Sequence, residues 1–221
     1  MSEYTRVHRP VSAAGSYYDK LAPWYDLLAS SEKKYIQKGL EMLDPHPGEL
    51  ILEIGFGTGY AQVQIAESVE SGFSIGLDLS LKMAAIAQSK LQRIKSGTRA
   101  GLICSDSLPI PLPSNRLDAV FSSFTLELFD TPLIPDLLSE CRRVLKPQGR
   151  LVAVSLFKEN PLPLMGRLYE TLHNRYPRLL DCRPIPLKTL LEDNRFEVKR
   201  SRSEKMWGLP IIITLAIPTS P

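Results

Sequence analysis

Leu50-Ile51-Leu52-Glu53-Ile54-Gly55-Phe56-Gly57-Thr58-Gly59-Tyr60 joins a short apolar run to three alternating glycines. The run lacks period-two alternation, the pattern of a parallel strand covered on both faces. Gly55, Gly57 and Gly59 let the backbone turn sharply and approach a ligand where a β-carbon would collide, before a helix opens at Thr58 or Gly59. A dinucleotide fingerprint places its third glycine one residue later, where Tyr60 stands. The stretch therefore predicts the middle of an α/β sheet and a tight pocket for a small polar ligand, on a spacing unlike the NAD pattern.

About 20 residues further on, Phe73-Ser74-Ile75-Gly76-Leu77-Asp78 reads as a second strand ending in a carboxylate, the position at which such folds hold a ribose diol. Asp78 and the adjoining Leu79 are ligand candidates. Asp78 also suits the positive end of a following helix, although Ser80 is the better cap, and the two roles are compatible. A third strand, Ala100-Gly101-Leu102-Ile103-Cys104, carries Asp106 and Ser107 to the same sheet edge. Leu117 to Ser123 forms a fourth, and the alternation places helices over roughly 58–69 and 80–94.

Thr131-Pro132 reads as an N-cap with proline at the first helical position, and Ile134, Leu137, Leu138, Cys141 and Leu145 give that helix one apolar face. Lys146-Pro147-Gln148-Gly149 ends it, and Leu151 to Phe157 is the fifth strand. A proline-punctuated insertion runs from Pro161 to Pro186, after which Phe196–Arg200 and Ile211–Ile217 close the sheet. Ahead of the sheet, Tyr18, Leu21, Tyr25 and Leu28, then Ile36, Leu40 and Leu43, recur at helical spacing, with Pro23 breaking the first segment.

A chain of 221 residues suits one domain able to bury its own core. Cys104, Cys141 and Cys182 are scattered and odd in number, which excludes a disulfide framework or a CxxC knuckle and fits a cytoplasmic setting. A net charge of +3 with interspersed signs argues against nucleic acid as a partner. The polar amino terminus has no apolar core behind Arg6, His8 and Arg9, so it is neither signal nor anchor. Leu209 to Ile217 is apolar but too short to cross a bilayer, and its β-branched residues predict a buried strand.

The motifs together resemble the class I S-adenosylmethionine-dependent methyltransferases, in particular the small-molecule branch that includes the ubiquinone and menaquinone C-methyltransferases. The resemblance rests on Leu52–Gly59, Gly76–Ser80, Asp106–Pro109 and Arg143–Leu151, spanning roughly residues 48–157. It implies a Rossmann-like α/β fold with seven mostly parallel strands, helices on both faces and the last strand antiparallel. It also divides a single domain, 1–221, into an amino-terminal helical lid (1–45), a cofactor-binding core (48–157), a substrate-facing insertion (158–190) and closing strands (191–221).

The same resemblance implies S-adenosylmethionine as cofactor. Gly55, Gly57 and Gly59 would pass near its methionine end, Glu53 would orient the loop, Asp78 with Leu79 would take the ribose, and Asp106 with Ser107 the adenine edge. Ser123 and Phe124 would lie under the methyl group, and Tyr18 and Tyr25 would close over it, although Phe124 and both tyrosines also suit plain core. Independently of the resemblance, Glu53 between Leu52 and Ile54 is a costly charge unless it bonds amides or a ligand.

A phenolic or hydroquinone acceptor must lose a proton, and the candidate bases are Tyr18, Glu127 and His173, the last spaced i, i+4 from Tyr169. No HxxxH, HExxH or Cys-His cluster exists, so no metal is predicted. Ser122-Ser123-Phe124-Thr125 replaces the Asn/Asp-Pro-Pro-aromatic turn of amino methylation on polymers. The expected partner is a small-molecule or lipid-like acceptor, with peripheral membrane contact and oligomeric state left open. Asp181-Cys182-Arg183-Pro184 stands where quinone members carry Tyr-x-Tyr-Leu, so phospholipid or small-amine N-methylation is an alternative acceptor class. A nicotinamide oxidoreductase and a non-catalytic cofactor-binding protein are the alternatives of another class.

Overall fold

A computed structural model of the chain describes residues 19, 22, 25, 29–106, 108–158 and 183–219. Tyr18, Ser107, Tyr169, His173 and most of the predicted insertion lie outside the described residues. The strands are β1 (Leu50–Ile54), β2 (Phe73–Asp78), β3 (Ala100–Cys104), β4 (Leu117–Ser123), β5 (Leu145–Leu156), β6 (Phe196–Met206) and β7 (Leu209–Pro218). They form one seven-stranded sheet ordered β3-β2-β1-β4-β5-β7-β6, parallel throughout except that β7 runs antiparallel to both β5 and β6. The expected Rossmann-like topology, with its last strand reversed, is the observed one.

Helices α1 (Lys33–Leu43), α2 (Tyr60–Ser68), α3 (Leu81–Leu91), α4 (Ile134–Val144) and α5 (Leu187–Asp193) flank the sheet. The alternation of β1 decides which face each residue serves. Ile51 packs with Tyr35, Leu43, Ile65 and Phe121 on the side of α1 and α2. Leu52 and Ile54 pack with Leu137, Leu138 and Leu190 on the side of α4 and α5. Glu53 shares the α2 side with Ile51, so its carboxyl enters an otherwise apolar face. Because β1 pairs with β2 on one edge and β4 on the other, the chain reverses its winding there, and the crevice beyond their carboxyl ends is the natural ligand site.

Several elements differ from expectation for local reasons. β5 begins at Leu145 rather than Leu151, because Leu145 pairs with Leu117 across a register shift. The helix before it is capped one residue earlier than predicted: Asp130 accepts from Thr131 N at 3.0 Å, and Thr131–Leu133 is a 3-10 turn leading into α4. β6 extends to Met206, well beyond Arg200. The helix α5 was not anticipated amid the surrounding prolines. Ser80 caps α3 as expected, accepting from Met83 N at 3.1 Å.

Arg150 binds the front of the sheet together. Its Nε donates to Leu43 O at 2.6 Å and its Nη2 to Asp44 O at 2.9 Å, while the guanidinium grips Glu49 at 2.6 and 2.7 Å. Burial alone would push the Glu49 carboxyl up, but the Arg150 hydrogen bonds and charge hold it below its ordinary value. The pair's contribution to stability is therefore present near neutrality and lost as pH falls through that lowered pKa. Arg150→Met is expected to lower the free energy of unfolding by about 2 kcal/mol in urea titrations at neutral pH, with a smaller loss in acid.

Arg143, from the last matched motif, clamps the loop after β3. It donates to Ile110 O and Leu112 O, each at 2.9 Å, while its partner Glu140 accepts from Ile110 N at 2.9 Å. Among the described residues, no helix is long and apolar enough to cross a membrane.

Candidate functional site

The loop after β1 continues the sheet ladder by one bond, Gly55 N to Leu77 O at 2.7 Å, and then turns through positive φ at Gly55, Gly57 and Gly59. A β-carbon on Gly55 would lie 2.1 Å from Thr125 Oγ1, so the turn is pressed against the segment following β4. At Gly59, the N-cap of α2, a β-carbon would lie 2.8 Å from Ala87 Cβ. That glycine lets α2 pack closely on α3, and it is not among the residues on the wall of the cleft around this loop. Gly57 is sterically open, its nearest neighbour being the Tyr25 ring at 3.6 Å from a built β-carbon.

Around this loop lies an open cleft, whose walls include Tyr25, Glu32, Glu53, Gly55, Gly57 and Ser123. Glu53 is 2% exposed, and burial first, then the charge of Asp78, raises its carboxyl well above the ordinary range. Fully buried Gln62 answers it. In the amide orientation its neighbours require, Gln62 donates to Glu53 Oε2 at 3.0 Å and accepts from Gly76 N at 3.2 Å. A cation brought into the cleft would favour the ionised form of Glu53.

Asp78 joins the two ends of the site. Its Oδ2 accepts from Gly57 N at 2.8 Å and its Oδ1 from Ser80 N at 2.9 Å. Burial still leaves it raised, against the pull of those amide bonds and with help from Asp19 nearby. Asp19 in turn accepts from Ser80 Oγ at 2.5 Å and Lys82 N at 3.2 Å, tying a residue of the amino-terminal segment to the start of α3.

The structure thus gathers Tyr25, Glu53, Gly55, Gly57 and Ser123 on one cleft, with Asp78 bonded to its glycine loop. Leu79 is half-buried at the end of β2, its carbonyl accepting from Cys104 Sγ. Asp106 is exposed beyond β3 on the same edge and is not on the cleft wall. Phe124 is 4% exposed and belongs to the core on the α1 side, so its ring serves packing. Glu127 is fully buried, its Oε1 accepting from Leu156 N at 3.1 Å. Sequence reasoning missed Gln62, Thr125, Asp19 and Glu32. Only Gln62 left a signal, a polar residue beside Ala61 and Ile65 on the buried side of α2.

A family described as "Methyltransferase domain" matches residues 51–149. Among curated proteins, the chain is 32% identical to a malonyl-acyl-carrier-protein O-methyltransferase from Marinomonas sp. (strain MWYL1), over 72% of this chain and 56% of the relative. It is 26% identical to a ubiquinone/menaquinone biosynthesis C-methyltransferase from Paracoccus denitrificans (strain Pd 1222), over 74% of this chain and 64% of that relative. The chain therefore spans less than two thirds of the length of either protein. Among solved structures, the cyclase SpnF superposes with a TM-score of 0.74 at 18% identity, covering 96% of this chain and 98% of its own. That likeness carries the fold alone, since one fold supports many chemistries.

Proposed function

Residues 51–149 are a methyltransferase domain of the class I S-adenosylmethionine-dependent kind, and on that premise we propose that the protein transfers a methyl group to a small, largely apolar acceptor of quinone-like or phenolic type. The observation that carries this reading is the pairing of two raised carboxyls, Glu53 and Asp78, on adjacent strands around a glycine loop pressed against Thr125. The residues fit the cofactor: the cradle at Gly55 leaves no room for a side chain, and a buried carboxyl awaits a positive charge. When bound, the sulfonium supplies an electrophilic methyl carbon for in-line displacement.

The chain's own residues do the rest. Glu53 balances the positive end of the ligand, Gly55 and Gly57 present backbone to it, and Asp78 accepts from its ribose hydroxyls through lone pairs left over from its amide bonds. Asp106 and Ser107 would serve the adenine edge. Tyr25, with Tyr18 and the rest of segment 1–45, would form a lid that keeps water from the reacting atoms. Segment 158–190 would select the acceptor. The reading places the protein in the cytoplasm, working on a metabolite rather than on nucleic acid.

A second reading, O-methylation of a carboxylic acid on a carrier protein, draws on the 32% identity to the malonyl-acyl-carrier-protein enzyme. Calorimetry should show S-adenosylhomocysteine binding at micromolar concentration and no heat from NADH. Incubation with methyl-labelled S-adenosylmethionine and a metabolite extract should then place label in a small product of the lipid phase. Label on an acyl-carrier protein would favour the second reading. Label confined to RNA, or heat from NADH alone, would overturn both.

A further inference from the structure

Buried polar groups without partners are uncommon in folded proteins, and two of them here carry opposite charges that act on each other. Among the described residues, Glu127 Oε2 and Arg183 Nη1 are buried with no hydrogen-bond partner, as are Ser31 Oγ, Ser122 Oγ and Arg142 Nε. Glu127 lies in the turn after β4 and is held by Leu156 N at the end of β5. Arg183 is 4% exposed, with Nη2 donating to Phe129 O at 2.7 Å. Arg183, through Phe129 O, and Glu127, through Leu156 N, thus lie at the carboxyl ends of β4 and β5, and Glu32, whose carboxyl senses the Glu127 charge, stands on the wall of the crevice assigned to the cofactor.

We propose that Glu127, Arg183 and Glu32 form an acceptor-activating subsite for a compound with an ionisable O–H, in which Glu127 Oε2 takes the proton, Arg183 Nη1 faces the oxygen left charged, and Glu32 passes the proton to the cleft. The inference rests on reading the cleft as the cofactor site. In the step itself, the acceptor's O–H bond breaks, its electron pair stays on oxygen, and the proton forms a new bond to Glu127 Oε2. No other reactant is needed. Arg183 cannot lose its own proton at working pH, so it stabilises the oxyanion without competing for it.

The electrostatics agree. Burial pushes Glu127 up to about 7, against the pull of backbone and Ser155 hydrogen bonds and of the Arg183 charge. Glu32 is also raised to about 7, by burial and then by the Glu127 charge, so the two carboxyls sense each other. Burial lowers Arg183 from its ordinary value, and the charges of Asp130 and Glu127 oppose that shift without reversing it. Further along the cleft, Glu53 and Asp78 form the separate pair already described. A base tuned near neutrality is what general-base catalysis favours.

Infrared difference spectra of the protein loaded with S-adenosylhomocysteine should show carboxyl C=O absorption lost between pH 6 and 8, with one component absent in Glu127→Gln and another in Glu32→Gln. With 4-cyanophenol as probe at pH 7, where the Glu127 carboxyl is about half ionised, the loaded wild type should raise the phenolate fraction about twofold or more over buffer, and Glu127→Gln and Arg183→Met should abolish the rise. Glutamine keeps the acceptor for Leu156 N, and the wild-type spectra stand on their own should a variant fail to fold. Absence of a carboxyl titrating in that window, or of a phenolate shift in the wild type, overturns the inference. Calorimetry on the same samples separates the outcomes: S-adenosylhomocysteine bound without those signals leaves the proposed function standing, whereas no binding removes both.

Discussion

Gly55→Ala is expected to lose about 3 kcal/mol of folding stability and to weaken S-adenosylhomocysteine binding at least tenfold. Two costs combine. The position has φ of 75°, where a β-carbon meets its own carbonyl, and that β-carbon would also stand 2.1 Å from Thr125 Oγ1. Neither neighbour yields easily, because Thr125 Oγ1 is bonded to Ser123 O at 2.9 Å and Gly55 N to Leu77 O at 2.7 Å. A double variant, Gly55→Ala with Thr125→Gly, removes the collision and leaves the backbone strain. Urea titrations of the four proteins should show coupling of about 1–2 kcal/mol between the sites. Strict additivity would mean that the loop turns freely and that Thr125 does not press on it.

That dependence on a residue 70 positions away shows where sequence reading stops. The strand Leu50–Ile54, the glycine turn, the carboxylate ending β2 and the Ser80 cap were all legible, because each is a local pattern of hydropathy, backbone permission or capping chemistry. Thr125 was not, since contact across the switch point leaves no mark in the spacing of either segment. Glu32 and Arg183 were hidden for the same reason, lying outside every matched motif, and their meeting with Glu127 exists only in the folded chain. Edge strand β6 was half legible: Phe196 to Met206 carries charged residues along an exposed face, which protects a sheet edge and erases the apolar run that marks a strand. Phe124, which on sequence suited both the methyl site and plain core, and Glu127, a candidate base, are both buried, yet one packs the core and the other leaves an oxygen unpaired.

Asp78 should show the other large effect. Asp78→Ala removes the acceptor for both Gly57 N and Ser80 N, so the loop and the start of α3 lose their common anchor, and S-adenosylhomocysteine affinity should fall by about 100-fold or more. Asp78→Asn keeps one acceptor oxygen and the shape, and should fall about tenfold, with stability within about 1 kcal/mol of the wild type. The sign of the pH response separates ligand binding from architecture. Because burial raises the Asp78 carboxyl, the folded state favours its protonated form, so its contribution to stability is full in acid and declines as pH rises through the folded pKa. Affinity for the ribose hydroxyls moves the opposite way, since the ionised carboxylate is the stronger acceptor. Wild-type affinity measured by calorimetry should therefore weaken as pH falls while thermal stability holds or rises, and in Asp78→Asn the pH dependence of affinity should flatten. A variant that binds as tightly as the wild type across that range would reduce Asp78 to a bracket between Gly57 and Ser80, and would move the ribose elsewhere along the cleft.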